Sequence, residues 1–167
     1  IRFNWKTEFG IPNDPPGLFG IPDLLASRNI TRPEESPMTL AEKLVKPIYE
    51  MTYEKLPAEV VEKVKLCVLH SLACAYAGID ERWSKAAREM EAALHPAGNA
   101  SIWFSTQKSN MADAAFTNAV YAQSILYEDI HRDSNAHPGV IIIPAALAVA
   151  EETGTPMTEV VTSIVAG

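Results

Sequence analysis

Leu56–Pro57–Ala58–Glu59–Val60–Val61–Glu62–Lys63–Val64–Lys65–Leu66–Cys67–Val68–Leu69–His70–Ser71–Leu72–Ala73–Cys74–Ala75–Tyr76–Ala77–Gly78 is the stretch that decides the fold. Val60, Val64, Cys67, Val68, Leu72 and Ala75 recur at spacings of three and four, which aligns them along one face of a helix. A strand would need alternation by two, and there is none. Pro57 suits the first turn, where a proline's missing N–H has no intrahelical partner to lose. Gly78 ends the pattern as a helix stop. Cys67 and Cys74 lie seven positions apart on this helix. At 1.5 Å rise per residue their α-carbons stand about 10 Å apart, too far for a disulfide. They read as small buried apolar residues of a reducing compartment, the cytoplasm or the mitochondrial matrix. His70 reads as a core or interface histidine.

Working outward, the pattern stays helical. Thr39 and Glu42 fit a capping box ahead of a segment from Leu40 to Lys55, with Pro47 as a kink or interruption. Trp83 to Leu94 is a second amphipathic helix, closed by His95–Pro96–Ala97–Gly98, with His95 as a cap residue. Ala100–Ser101–Ile102–Trp103–Phe104 reads as a lone strand or an extended connection. Met111 to about Ile125 is alanine-rich and helical. Val140 to Glu152 follows, then the break Gly154–Thr155–Pro156, and Thr158 begins a last helix. With no repeated strand pattern the fold class is mainly α. Residues 1–38 differ: they hold half of the chain's prolines and show no sustained period. Phe3, Trp5, Phe9, Leu18, Phe19 and Leu24 make this stretch too apolar for a free linker. It reads as an extended arm laid over a neighbour or a partner subunit, ahead of a helical domain over 39–167.

The 167 residues are 47% hydrophobic, enough for a core, and carry a net charge of −7. That charge argues against a nucleic-acid binder, which needs a basic face, and against a polyanionic membrane surface. The longest apolar run, Val140 to Ala150, is about half of what spans a bilayer and contains Pro144. No signal peptide is visible. The chain starts at Ile1 and stops inside a helix-like segment, as a processed or split piece of something longer would.

The densest chemistry lies in Leu126–Tyr127–Glu128–Asp129–Ile130–His131–Arg132–Asp133–Ser134–Asn135–Ala136–His137–Pro138–Gly139. Glu128 and Asp129 are a carboxylate pair of the kind that shares and transfers a proton. His131 and His137 titrate near neutral pH and suit general acid, general base or carboxylate-binding roles. The same set could ligate a metal, but its spacing matches no established signature, so no metal and no cofactor is assigned. A solvated helix end is the plainer reading of the acids, and a structural histidine that of each imidazole. There is no Gly-rich phosphate loop and no nucleophile elbow.

From about Leu40 to Gly167 the order of features resembles the MmgE/PrpD family of 2-methylcitrate dehydratases, cis-aconitate decarboxylases and relatives. The resemblance rests on Lys65 to Gly78, on Ala114–Ala115–Phe116–Thr117–Asn118–Ala119, and on the acidic pair followed by a histidine and His137–Pro138. Pro144–Ala145–Ala146–Leu147–Ala148 leading to Ala150–Glu151 completes it. It implies the N-terminal part of an all-helical domain from a cofactor-independent lyase or isomerase, usually a dimer, acting on di- or tricarboxylic acids. The family's smaller α+β domain and catalytic lysines fall beyond Gly167, so a second chain or a missing segment would supply them. On the family pattern His137 matches the active-site histidine, Glu128 and Asp129 the acidic pair, and His131 a histidine of some members. The sequence departs at Leu126, where a further acid is frequent, at Gly139, where serine is, and at His70, where aspartate is.

The expected chemistry is proton abstraction next to a carboxylate, with loss of water or carbon dioxide. That needs a base and stabilisation of developing enolate-like charge. His137 is assigned as base or carboxylate clamp, Asp129 as the group orienting His137 or His131, and His131 as the second acid/base. Glu128, Arg132 and Ser134 are assigned to substrate binding, with Arg132 the one cation in the motif. The alternative is a non-catalytic small subunit or inactive homologue that stabilises a partner chain, for which the change at Leu126 speaks. An isomerase or epimerase of the same family is a further reading.

Overall fold

The computed structural model describes residues 37–94 and 97–167. The chain divides into two units, Ile1–Leu40 and Ala41–Gly167. The proposed arm over 1–38 lies outside the described residues save for 37 and 38, and His95 lies outside them altogether. The rest is mainly α, as the periodicity requires. Among the described residues six helices run in order: α1 (Leu40–Tyr49), α2 (Ala58–Gly78), α3 (Arg82–Leu94), α4 (Met111–Gln123), α5 (Gly139–Thr153) and α6 (Met157–Ala166). A 3-10 turn at Tyr53–Lys55 separates α1 from α2. Among the described residues no helix is long and apolar enough to cross a membrane.

Pro47 sits in the last turn of α1, and the helix ends at Tyr49, short of the expected Lys55. The α2 helix spans the stretch that its sequence marks, beginning directly after Pro57 and ending on Gly78. Its buried line runs Val61, Val64, Ser71, Cys74, Ala75 and Gly78. Val60, Cys67, Val68 and Leu72 are half-buried beside it. The period was legible and the phase was not, because Val60 and Val61 are equally apolar neighbours.

Ala100–Ser101 is not a lone strand: it pairs antiparallel with Lys108–Ser109. Asn118 of α4 holds this hairpin from beneath. Its Oδ1 accepts from Trp103 N–H at 2.9 Å and its Nδ2 donates to Ser101 O at 2.8 Å. Such pairing satisfies a buried amide completely enough to offset its desolvation. Asn110 caps α4, its side chain accepting from Ala112 N–H and Asp113 N–H at 3.0 Å. At the far end of α5, Gly154 adopts φ +69° and its N–H returns to Ala150 O, a left-handed helix stop.

The larger core joins α2, α4, α5 and the hairpin through Ala75, Ala100, Ile102, Ala114, Tyr121, Ala122, Val140 and Ala148. So many alanines at one junction let helix backbones come close. A second cluster, Val61, Val64 and Val161, fastens α6 and the 3-10 turn to the start of α2. The larger cluster fixes both ends of the α4–α5 connection, through Ala122 and Val140, and that connection is where the titratable residues lie.

Candidate functional site

The connection from α4 to α5 begins with a backbone reversal. Leu126 has φ 55°, in the left-handed region that a γ-branched residue enters at a cost of roughly 1–2 kcal/mol. Leu126 and Tyr127 stay exposed, and the chain then turns Glu128 inward: its side chain is 1% exposed. Glu128 Oε1 lies 2.9 Å from His137 Nδ1. It is an ion-pair distance without aligned hydrogen-bond geometry, and both carboxylate oxygens and the Nδ1 atom are shielded from water. The His137 side chain is nevertheless 36% exposed. The exposed part of the ring is therefore not Nδ1.

The two acids diverge. Asp129 turns to the start of α5, where its Oδ2 accepts from Gly139 N–H at 3.3 Å. A carboxylate there satisfies a free N–H and complements the helix dipole. The carboxylate against His137 is thus Glu128, while Asp129, expected to orient His137 or His131, faces the start of α5. The two neighbours part at a bend in the chain, Glu128 facing the interior and Asp129 the helix end. Gly139 leaves the room this carboxylate occupies, since a Cβ there would press on the Asp129 side chain and displace it.

The other expected residues stay outside. His131 is exposed; its Nδ1 pairs with Ser134 Oγ at 2.8 Å, and its N–H donates to Ala136 O at 2.8 Å. Asn135, at φ 54°, turns that small loop. Arg132 is exposed and forms no ion pair among the described residues. The structure therefore brings Glu128 and His137 together, and His131 and Ser134 together, as two separate pairs. No group of three or more His, Cys, Asp or Glu side chains among the described residues is placed to hold a metal ion.

A cavity of about 490 Å³ opens between α2, α5 and α6, with Lys63, Cys67, Asp129, Pro138, Gly139 and Ile142 in its lining. Lys63 is a cation that sequence reasoning missed. It lies far from the motif along the chain, and its place on the exposed side of α2 gave no signal. Another cleft of about 440 Å³, among Trp83, Phe116, Val120, Leu126 and Ile141, is lined by no titratable side chain and offers no proton chemistry.

His70 is exposed, so it is not a core histidine; its Nε2 stands 3.0 Å from Tyr127 O. Cys67 and Cys74 are both free thiols. Burial, and then the charges of Glu128 and Asp129, push the Cys74 thiol above its ordinary value near 9. Burial likewise pushes the Tyr121 phenol above its ordinary value near 10. Both groups hold their protons more tightly folded than unfolded, so their contribution is complete below the ordinary values and is lost as pH rises through the raised ones. The urea midpoint is expected to fall between about pH 8 and pH 11, and Cys74→Ala should flatten the first part of that fall. An unchanged slope in the variant would show that the Cys74 thiol is not held back by the fold.

The family model for the MmgE/PrpD N-terminal domain matches residues 42–167. Cis-aconitate decarboxylase from Aspergillus terreus is 29% identical over 98 residues, 59% of this chain and 20% of that protein. The cis-aconitate decarboxylase-like protein oryM from Aspergillus oryzae is 26% identical over 104 residues, 62% of this chain and 22% of that protein. The chain spans about a fifth of the length of the curated relatives it matches. With a match that runs from the first turn of α1 to the last residue, through the Glu128–His137 connection, the chain belongs to the MmgE/PrpD family.

Proposed function

We propose that His137, held against Glu128, is the acid–base group of a cofactor-independent lyase acting on a di- or tricarboxylic acid, in a protein that carries the rest of the family's fold. The observation that carries this reading is the contact of a shielded carboxylate with one edge of a part-exposed imidazole. Glu128 fixes the ring with the Nδ1 proton toward itself and the Nε2 lone pair outward, the arrangement of a general base. In a dehydration, Nε2 takes the proton from the carbon next to a carboxylate. The electron pair moves into an enolate-like system and then forms the carbon–carbon double bond as the hydroxyl leaves, which takes the proton back from the imidazolium and departs as water. A decarboxylation starts instead from the imidazolium form: carbon dioxide departs, the electron pair left on carbon takes the Nε2 proton, and the ring ends neutral. Glu128 stabilises the imidazolium in either case.

A polycarboxylate also needs cations, and Lys63 in the neighbouring cavity supports that part of the reading. The activity for which the relatives are named, decarboxylation of cis-aconitate, supports the choice of substrate class. The test uses the protein purified without denaturant, together with any chain that travels with it, and supplies cis-aconitate and 2-methylcitrate separately. Carbon dioxide release from the first is the expected result, and water loss from the second would place the chain among the dehydratases. Lys63→Ala should raise KM by roughly tenfold while sparing kcat, the loss of one charge-assisted contact. Neither turnover nor saturable binding of either acid would overturn the proposal.

A further inference from the structure

We propose that His70 is a positioning residue for the Glu128–His137 pair: it pins the backbone at Tyr127 and thereby holds Glu128 turned inward. The inference rests on the acid–base reading of that pair. Most of the connection from Leu126 to Pro138 is held by local contacts. Leu126 N–H donates to Gln123 O, His131 pairs with Ser134 and Ala136, and Asp129 accepts from Gly139 N–H. Among the described residues, His70 supplies the hydrogen bond to this connection that comes from a helix other than α4 or α5.

The bond acts at an effective point. Tyr127 O and the Glu128 N–H belong to one planar peptide unit, so fixing the carbonyl fixes the direction in which the Glu128 N–Cα bond leaves it. A carbonyl only accepts, so His70 Nε2 must carry a proton. Immediately upstream, Leu126 is held in the left-handed region. Release of Tyr127 would let that strain relax, and the relaxed backbone would rotate the following residues. The exposures fit this: Leu126 is 73% and Tyr127 77% exposed, and the chain turns inward only at Glu128, which is 8% exposed. Cys74, one helical turn beyond His70, has its Sγ 3.7 Å from the same Nε2 and backs the contact with a buried neutral thiol. The whole device is anchored on α2, which the two core clusters hold at both ends.

The experiment reads the tautomer of His137. The 167-residue chain is labelled with ¹⁵N-histidine, and imidazole nitrogen shifts are recorded at a pH where free imidazole is neutral, with assignment by single substitutions. Wild type is expected to show His137 protonated at Nδ1, the edge facing Glu128. His70→Ala should lose that signature in favour of the Nε2–H form that free histidine prefers, with far-UV circular dichroism retained. His70→Met, which keeps side-chain length without a donor, should behave as alanine does. His70→Gln, whose amide can donate to the same carbonyl, should restore the wild-type pattern. Retention of the Nδ1–H form in His70→Met overturns the positioning role, even if the melting temperature falls, and leaves the Glu128–His137 reading standing. A mixed tautomer already in wild type overturns that reading and this inference with it.

Discussion

In protein that turns over a polycarboxylate, Glu128→Gln is expected to lower kcat by about 10²–10⁴-fold. Folding stability should hold or rise by about 1 kcal/mol. The two effects have one cause. Glu128 is a carboxylate with 1% of its side chain exposed and with no aligned hydrogen bond on either oxygen, so its charge is desolvated with little return. Glutamine keeps the shape and removes that penalty. It also removes the negative charge that holds His137 in the required tautomer and stabilises its imidazolium. His137→Ala should reach a similar rate, and the double variant should be no slower, since the two side chains act as a unit. Asp129→Asn should lose less than about tenfold, because an amide oxygen can still accept from Gly139 N–H. A larger loss at Asp129 than at Glu128 would reverse the assignment of the two acids.

That reversal separates what could be read from the chain and what could not. The helical class and the span of α2 were legible because a spacing of three and four persists over many residues and is bounded by Pro57 and Gly78. The motif was legible because it gathers titratable residues between two alanine-rich helices. The hairpin was half legible: Ala100–Ser101 precedes a β-branched and aromatic run, but its partner Lys108–Ser109 carries no apolar alternation. What pairs them is Asn118, a residue whose role is set only by the fold. The choice between Glu128 and Asp129 was beyond reach for a similar reason. It depends on the backbone reversal at Leu126 and on His70, which lies 57 positions away along the chain. Lys63 shares a cavity with Asp129 by the same tertiary accident of helix packing.

Gly78→Ala is expected to be among the most destabilising single-methyl additions to the domain. In an isolated helix the change would be favourable by roughly 0.5–1 kcal/mol. Here the added Cβ would lie 2.5 Å from Tyr121 O and 3.0 Å from Ser124 Cβ. The first obstacle is backbone, so no rotamer change can relieve it, and α2 must move away from α4. The junction resists that movement. Ser84 Oγ donates to Gly78 O at 2.6 Å and lies 2.7 Å from Ser124 Oγ, which itself donates to Val120 O at 2.6 Å. Ser84 thus ties Gly78 of α2 to Ser124 at the end of α4, so a shift of α2 away from α4 breaks that link. Overpacking of this kind costs about 1–3 kcal/mol and outweighs the helix-propensity gain. At Gly154 the balance differs. A Cβ there meets nothing, so Gly154→Ala should lose only about 1 kcal/mol, from placing a side chain at φ +69°. Because His70 lies two turns before Gly78 on the same helix, the tilt of α2 in Gly78→Ala should also weaken the His70–Tyr127 contact. A urea titration of the two glycine variants decides the matter. A midpoint for Gly78→Ala equal to or above wild type would mean that α2 and α4 do not approach as closely as 2.5 Å implies.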